Sequence, residues 1–496
     1  MAELTFFTDW KYCSACGLPA SQTKLLTCAG CSCAAYHNSS CQRSHWTIHK
    51  LECKELTSAM LPLKQLVRWH TTHKKSTNVA GDEKTSVGAS GSRVRCWWEP
   101  NVGNGITEDT LIASNSMWGN SLRRWRSTDY LGALEGFKKT LEPFNRAWSY
   151  MNESNDLIQM SGNDVDAFLH RSLVLANRLL FCAFCEMDRG QVESGRQKLV
   201  QSISITMALF FTFPMMSSRD SIRSIMDDAW MELMLSMEEV PQHRIAARHV
   251  AALAIATKSC MWSDPCQRPG YMARNGLSGI PYTPPENHPT WCRVFENNWF
   301  RILNEYIRLN STPSNFSNVG CGKRGSGHDD HLVVSGRGWK EYVLFGTGSE
   351  DNDSDAPFTK QLLQSTIPDA VALAEDGGGE IIFSCLSPRT HIKPHCGPTN
   401  LRWTAHLGLV IPNSASDCRI RVRDDWYSWQ VGKIFLFDDS YEHEVRNDTD
   451  DARVVLLIRL WHPQLANMAS FQRESILSEA MAWKEEEVRK RYHPPN

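Results

Sequence analysis

Residues 383–403 read FSCLSPRTHIKPHCGPTNLRW, residues 437–445 read FDDSYEHEV and residues 451–463 read DARVVLLIRLWHP. Two histidines, His395 and His443, stand near the ends of apolar, strand-like segments. An isolated arginine, Arg453, opens the next such segment. Two neutral imidazoles on a rigid strand scaffold can hold a divalent metal and still leave adjacent coordination positions open. An arginine inside an apolar strand is costly unless it meets an anion, and a guanidinium grips a carboxylate through two parallel hydrogen bonds. A metal pair followed by a carboxylate clamp is therefore the chemistry that these residues predict.

Short β segments surround this stretch: GWKEYVLFG, EIIFSCL, HLGLVIP, CRIRVRD, KIFLFDD and ARVVLLIRL, separated by turn signals. Many short strands of this kind predict a jelly-roll or cupin-type double-stranded β-helix over 286–465. A helix, WCRVFENNWFRILNEY, precedes them, with Val294, Trp299, Ile302 and Leu303 expected inward, and a solvated C-terminal helix is expected over 466–496. The proline-rich IPYTPPENHP at 280–289 reads as extended connector. Further upstream, 100–279 shows helical periodicity. Leu173, Ala176, Leu179, Leu180 and Ala183 recur at three- and four-residue intervals, with Asn163 or Asp164 available as a cap and Gly190 just past the end. Residues 54–99 read as a linker, most clearly the polar KKSTNVAGDEKTSVGASGSR from Lys74 to Arg93. The class is thus multi-domain α+β.

Seven of the seventeen cysteines fall between Cys13 and Cys53. Cys13 and Cys16, Cys28 and Cys31, His37 and Cys41, and His49 and Cys53 form four pairs. Eight ligands fit two tetrahedral zinc ions, and loops this short lack the apolar surface to fold without metal. Cys33 is a competing ligand candidate, while His45 reads as a surface residue. With a formal charge of -2 over 496 residues, no polyanion is indicated as the main partner, so no specific nucleic-acid binding is expected. The start lacks the pattern of a secretory signal and no apolar run reaches the length of a membrane span, which leads to a cytoplasmic or nuclear expectation without membrane association.

The strings PHCGPTN, HLGL, FDDSYEHEV and WHP resemble the aspartyl/asparaginyl β-hydroxylase family, and AYHNSSCQRSHWTIHKLEC resembles the MYND zinc finger. The first resemblance implies an Fe(II)- and 2-oxoglutarate-dependent dioxygenase in which His395 and His443 hold iron and Arg453 holds the far carboxylate of the co-substrate. Succinate, carbon dioxide and a hydroxylated side chain are its products. Ser384 matches a hydroxyl donor to the same carboxylate. Arg402 matches the first arginine of an RLRxH string, and His406 matches a residue near the oxoacid. A carboxylate two residues after the first histidine is replaced by Gly397, as the family tolerates. Asp438 and Asp439 are expected to orient an imidazole or form a turn, and His391 to be structural. Four positions depart from the family: Thr404 replaces an arginine that helps to hold oxoacid or substrate, Arg389 replaces a turn glycine, and Arg446 and Arg459 replace a tryptophan and an aspartate.

The second resemblance implies an interleaved zinc topology. Cys13, Cys16, His37 and Cys41 would hold one ion, with His37 where cysteine is usual; Cys28, Cys31, His49 and Cys53 would hold the other. It also implies capture of proline-containing peptides at Gln42 and Trp46, although Trp46 can equally pack under the zinc loops. Together the two suggest hydroxylation of an Asp- or Asn-type protein side chain, with the finger recruiting a protein partner. The alternative is a catalytically weak or inactive adaptor that binds partners through its finger and helices.

Overall fold

The computed structural model describes residues 6, 10–20, 24–79, 162–212, 219–257, 262–272, 277–312, 316–319, 332–335, 338–346, 355–413 and 417–492, with scattered positions of 113–141. The chain divides into two compact units, Met1–Cys260 with Glu486–Asn496, and Met261–Glu485.

In the first unit, a two-stranded ladder of β1 (Leu26–Thr27) and β2 (Ala35–Tyr36) leads into α1 (Ser39–Val79). Asn38 starts this helix, its Oδ1 accepting from the amides of Ser40 and Cys41 at 2.9 and 3.0 Å. The helix continues through much of the segment expected to be linker. Leu56, Ala59, Met60 and Leu63 recur at the i, i+3, i+4, i+7 positions of one face, and all are buried. Residues 80–99 of that expected linker lie outside the described residues. The helices α2 (Gly162–Asp188), α3 (Val192–Thr212), α4 (Arg219–Glu238) and α5 (Arg244–Ala256) then pack each on the next, while α1 contacts α3 and α5. Gly190 ends the turn after α2 at φ 75°, a conformation that costs glycine little. Ala176, Leu179, Leu180 and Ala183 are buried along α2, as their spacing predicts.

The second unit begins at Met261, ahead of residue 286. Its early start has a hydrogen-bonding cause. Residues 262–271 run alongside the segments that follow His395 and precede His443: the Tyr271 amide donates to Pro398 O at 3.0 Å, and the Glu442 amide to Cys266 O at 2.7 Å. Next, β3 (Tyr282–Thr283) pairs with β12 (Ile434–Phe437).

Two antiparallel sheets form the body of this unit. The larger has the order β3-β12-β9-β14-β7-β6-β4, and the smaller β11-β10-β13-β8-β5. Here β4 is Ser317–Asn318, β5 Val333–Ser335, β6 Trp339–Phe345, β7 Ile381–Leu386, β8 Thr390–His395 and β9 Arg402–Val410. The remaining strands are β10 (Cys418–Val422), β11 (Asp425–Tyr427), β13 (His443–Asn447) and β14 (Arg453–Trp461). In β14, Val454, Leu456 and Ile458 join a core shared with α6 (Thr290–Asn310), α7 (Pro357–Thr366) and α8 (Pro368–Glu375), while Val455 and Leu457 join the core between the sheets. Burial on both faces is why ARVVLLIRL is a continuous apolar run with no alternation to solvent. The helix α6 buries Cys292, Phe295, Ile302, Tyr306 and Leu309. Val294 lies off that stripe and is 37% exposed, against the sequence expectation, with Trp299 and Leu303 partly buried. The helix α9 (Ser470–Tyr492) closes the described chain.

Candidate active site and metal centres

The strands β8 and β13 bring the two histidines together. His395 ends one, His443 opens the other, and they face each other in register with ring centroids 4.2 Å apart. Each ring is oriented by its own strand: His395 Nδ1 donates to Lys393 O and His443 Nδ1 to Tyr441 O, both at 2.8 Å. A carbonyl can only accept, so Nδ1 carries the hydrogen and Nε2 the lone pair in each neutral ring, which is the form that a metal requires. Burial, followed by the neighbouring His395, holds the His443 pKa well below its ordinary value and favours that neutral form.

Backbone carbonyls thus do the orienting that was expected of a carboxylate. Of the two roles expected of Asp438, the turn is the one it takes, its Oδ1 accepting from the Ser440 amide at 3.0 Å. Burial, with repulsion from Asp439, pushes its pKa up to about 7. Asp439 O accepts from the Gly397 amide at 2.7 Å, and a Cβ at Gly397 would lie 2.7 Å from Asp439 Oδ2. The glycine is therefore a packing requirement as well as a missing ligand. Among the described residues, no third His, Cys, Asp or Glu joins the histidine pair at metal-binding distance.

Arg453 lies on the same inner face of the barrel, 2% exposed, and its Nε and Nη1 have no hydrogen-bond partner. A buried guanidinium without an anion is costly, so the unmatched donors fit a carboxylate ligand. The Trp429 ring covers it, with Cζ 4.8 Å from the ring centroid. Trp429 Nε1 also donates to His406 Nδ1 at 3.2 Å, which puts the His406 hydrogen on Nε2 and makes that nitrogen a donor. Ser384 Oγ accepts from Trp339 Nε1 at 2.8 Å, and its hydroxyl hydrogen is left to donate elsewhere.

Arg402 reaches Gly378 O at 3.2 Å and lies 3.8 Å from Glu380 and 3.7 Å from Asp439. His391 pairs with Glu444 at 3.0 Å on the smaller sheet, in keeping with the structural role expected of it. Two supports escaped the sequence reading. Trp429 lies in the loop between β11 and β12 with no motif around it. Arg268 lies before the barrel strands, yet joins Glu442, beside His443, at 2.9 Å in a buried ion pair.

The zinc ligands also assemble. Cys13, Cys16, His37 and Cys41 form one cluster and Cys28, Cys31, His49 and Cys53 another, with all ligand atoms in each within 4.8 Å. Thiolate and imidazole donors in fours suit zinc. Cys33 belongs to neither cluster, and its amide donates to Cys31 Sγ at 3.3 Å. His45 takes the Tyr36 hydroxyl at 3.1 Å. Trp46 is 42% exposed, so the packed alternative does not describe it.

A double-stranded β-helix that brings two histidines and a buried arginine to its interior, in a chain with a finger of two Cys3His clusters, defines the class: a jelly-roll barrel protein that carries a zinc finger. Residues 296–463 match the model of the aspartyl/asparaginyl β-hydroxylase family and residues 13–53 that of the MYND finger, and the chain carries one domain of each.

Human aspartyl/asparaginyl beta-hydroxylase is 33% identical over 195 residues, which is 38% of this chain and 24% of that protein. Human aspartate beta-hydroxylase domain-containing protein 2 is 32% identical, covering 42% of this chain and 54% of that one. Ornithine lipid ester-linked acyl 2-hydroxylase of Rhizobium tropici is 39% identical, covering 25% and 42%. The chain spans between a quarter and little more than half of the length of these relatives. Among the described residues, no helix is long and apolar enough to cross a membrane.

Proposed function

We propose that the second unit is an Fe(II)- and 2-oxoglutarate-dependent dioxygenase that hydroxylates an Asp- or Asn-type side chain of a protein, and that the MYND finger recruits a proline-containing partner. One juxtaposition supports this reading: two Nε2 lone pairs on facing strands, with the unmatched donors of Arg453 on the inner face of the same barrel. The family match in 296–463 agrees with it.

His395 and His443 would hold the iron, and Arg453 and the Ser384 hydroxyl the far carboxylate of 2-oxoglutarate. Bound iron and 2-oxoglutarate supply the dioxygen activation and reducing equivalents that protein side chains lack. The chain's own residues bind, orient and exclude water. The Nε2 hydrogen of His406 offers a fixed donor to an oxoacid oxygen, and Trp429 holds His406 and Arg453 in place together. Phe435, Phe437 and Leu457 keep the interior apolar, which strengthens each of these polar contacts. With two neutral ligands and no carboxylate, the iron site is expected to be weaker than a three-ligand site.

Succinate release with Fe(II), ascorbate and a broad set of candidate peptides tests the reading. Wild type should turn over 2-oxoglutarate and the His443→Ala variant should lose at least a hundredfold. Equal slow release from both would sink it. The adaptor reading, favoured by Thr404, expects Mn(II) and 2-oxoglutarate not to form a tight ternary complex with the protein.

A further inference from the structure

The outer face of the smaller sheet carries more positive charge than its acids offset. On β10 and β13, Cys418, Ile420, Val422 and Val445 point into the core between the sheets, so Arg419, Arg421, Glu444 and Arg446 point away from it. Arg419 stands directly opposite Arg446, and Arg446 directly opposite His391 on β8. Two guanidiniums at one rung of a ladder repel, so this row costs stability. The cost is particular to this chain, because Arg446 stands where the family commonly has a neutral tryptophan.

The carboxylates of this face are already engaged. Glu442 lies 2.9 Å from both Arg268 and Arg421, and Glu444 pairs with Arg421 and, at 3.0 Å, with His391. These two acids offset Arg268 and Arg421, which leaves Arg419 and Arg446 in surplus. Among the described residues, the carboxylate that approaches either is that same Glu444, 3.6 Å from Arg446, and the Nε of each has no hydrogen-bond partner. Trp426, on the edge strand β11, holds both: Cζ of Arg419 lies 4.3 Å and Cζ of Arg446 5.7 Å from its ring centroid, and the ring is 36% exposed. Stacking of this kind fixes a guanidinium while leaving its terminal nitrogens free to donate in their own plane. At one end of the two strands follow Asp417 and Asp448, joined by a backbone hydrogen bond of 2.7 Å. The positive row is therefore short, crossing three strands from Arg419 to His391, about 10 Å.

We propose that Arg419 and Arg446, braced on Trp426, form a docking surface for an acidic segment of a partner protein, each guanidinium taking one Asp or Glu carboxylate of that segment. Charge and size select the occupant. Two surplus cations match two carboxylates, and paired nitrogens match paired oxygens. A long polyanion would run onto Asp417 and Asp448, and the formal charge of -2 gives it no wider attraction. The surface lies on the opposite side of β13 from His443, so it stands independently of the dioxygenase reading.

Anisotropy of a fluorescein-labelled hexaglutamate peptide, titrated with the full-length protein, tests this. Wild type should bind it and lose at least fivefold in affinity from roughly 50 to 300 mM salt, while a hexaglutamine peptide stays unbound. Arg446→Trp, which installs the tryptophan common in the family, and Arg419→Gln should each weaken binding at least threefold, and together at least tenfold. Lys433→Gln, which removes an exposed cation beside the other sheet, should change it less than twofold. The unfolding midpoint is followed in parallel, and Arg446→Trp decides alone if Arg419→Gln does not fold. No binding by wild type, unchanged binding in the double variant, or an equal loss from Lys433→Gln overturns the proposal. So does tighter capture of a phosphoserine peptide or of a short DNA single strand that the double variant abolishes, because the face would then serve phosphate.

Discussion

A single glycine shows how tightly the two-histidine centre is built. Gly397 occupies the position where a third, carboxylate ligand would be inserted, and its missing Cβ faces Asp439 at 2.7 Å, with the Asp439 carbonyl at 3.0 Å. Real Cβ contacts do not come as close as the first of these, and the second, with a backbone oxygen, is tighter than most. Gly397→Asp should therefore fail to create a three-ligand centre. The expected result is a drop in stability of about 2 kcal/mol from overpacking, with Mn(II) affinity no tighter than wild type. Tighter Mn(II) binding in that variant would contradict the geometry. The pairing of the histidines and the placing of Arg453 were readable through the strings PHCGPTN, FDDSYEHEV and WHP that surround them, because a single histidine on an apolar strand is by itself more simply a hydrogen-bonded core residue. Trp429 was not legible. An aromatic residue in a loop has many uses, and its contacts to Arg453 and His406 reach other strands, β14 and β9.

Elements were legible in proportion to how local their causes are. The α2 periodicity and the apolar runs of β7, β9, β12 and β14 announced themselves. The helix α1 did not: polar residues dominate its second half, and its apolar stripe from Leu56 to Leu63 acquires meaning only against α3 and α5. The boundary of the second unit was obscured for the same reason, since residues 262–271 are tied in by backbone bonds that leave no sequence pattern. The turn between β7 and β8 illustrates a local cause that is legible. Arg389 has φ 56°, in the left-handed region that penalises side chains, at a position where the family uses glycine. Its ion pair with Asp450 is well exposed and adds little. Arg389→Gly should raise the stability of the second unit by about 0.5–1 kcal/mol, seen as a higher denaturant midpoint with an unchanged slope. A lower midpoint would show that the arginine is needed where it stands.

At the scale of the molecule, two units with separate cores give two places to measure stability. In the first, burial pushes Asp227 up to about 7, with Arg223 pulling it down and Asp228 pushing it further up. The folded chain then keeps a proton on Asp227 that the unfolded chain releases above about pH 4. Stability from this group is therefore present at low pH and lost as pH rises from about 4 to 7. Compared by thermal unfolding, Asp227→Asn should gain on wild type across that window. A difference that stays flat from pH 4 to 8 would show that Asp227 titrates normally. The helix α1 gives the first unit one more property. His49 and Cys53 belong to a zinc cluster, and within one further turn the same helix enters the hydrophobic packing of the unit through Leu56, Met60 and Leu63. Metal supply and interior assembly meet on one continuous rod. In a zinc-starved cell, newly made copies would present that greasy flank to quality-control machinery, so the amount of this protein should follow nutrient zinc.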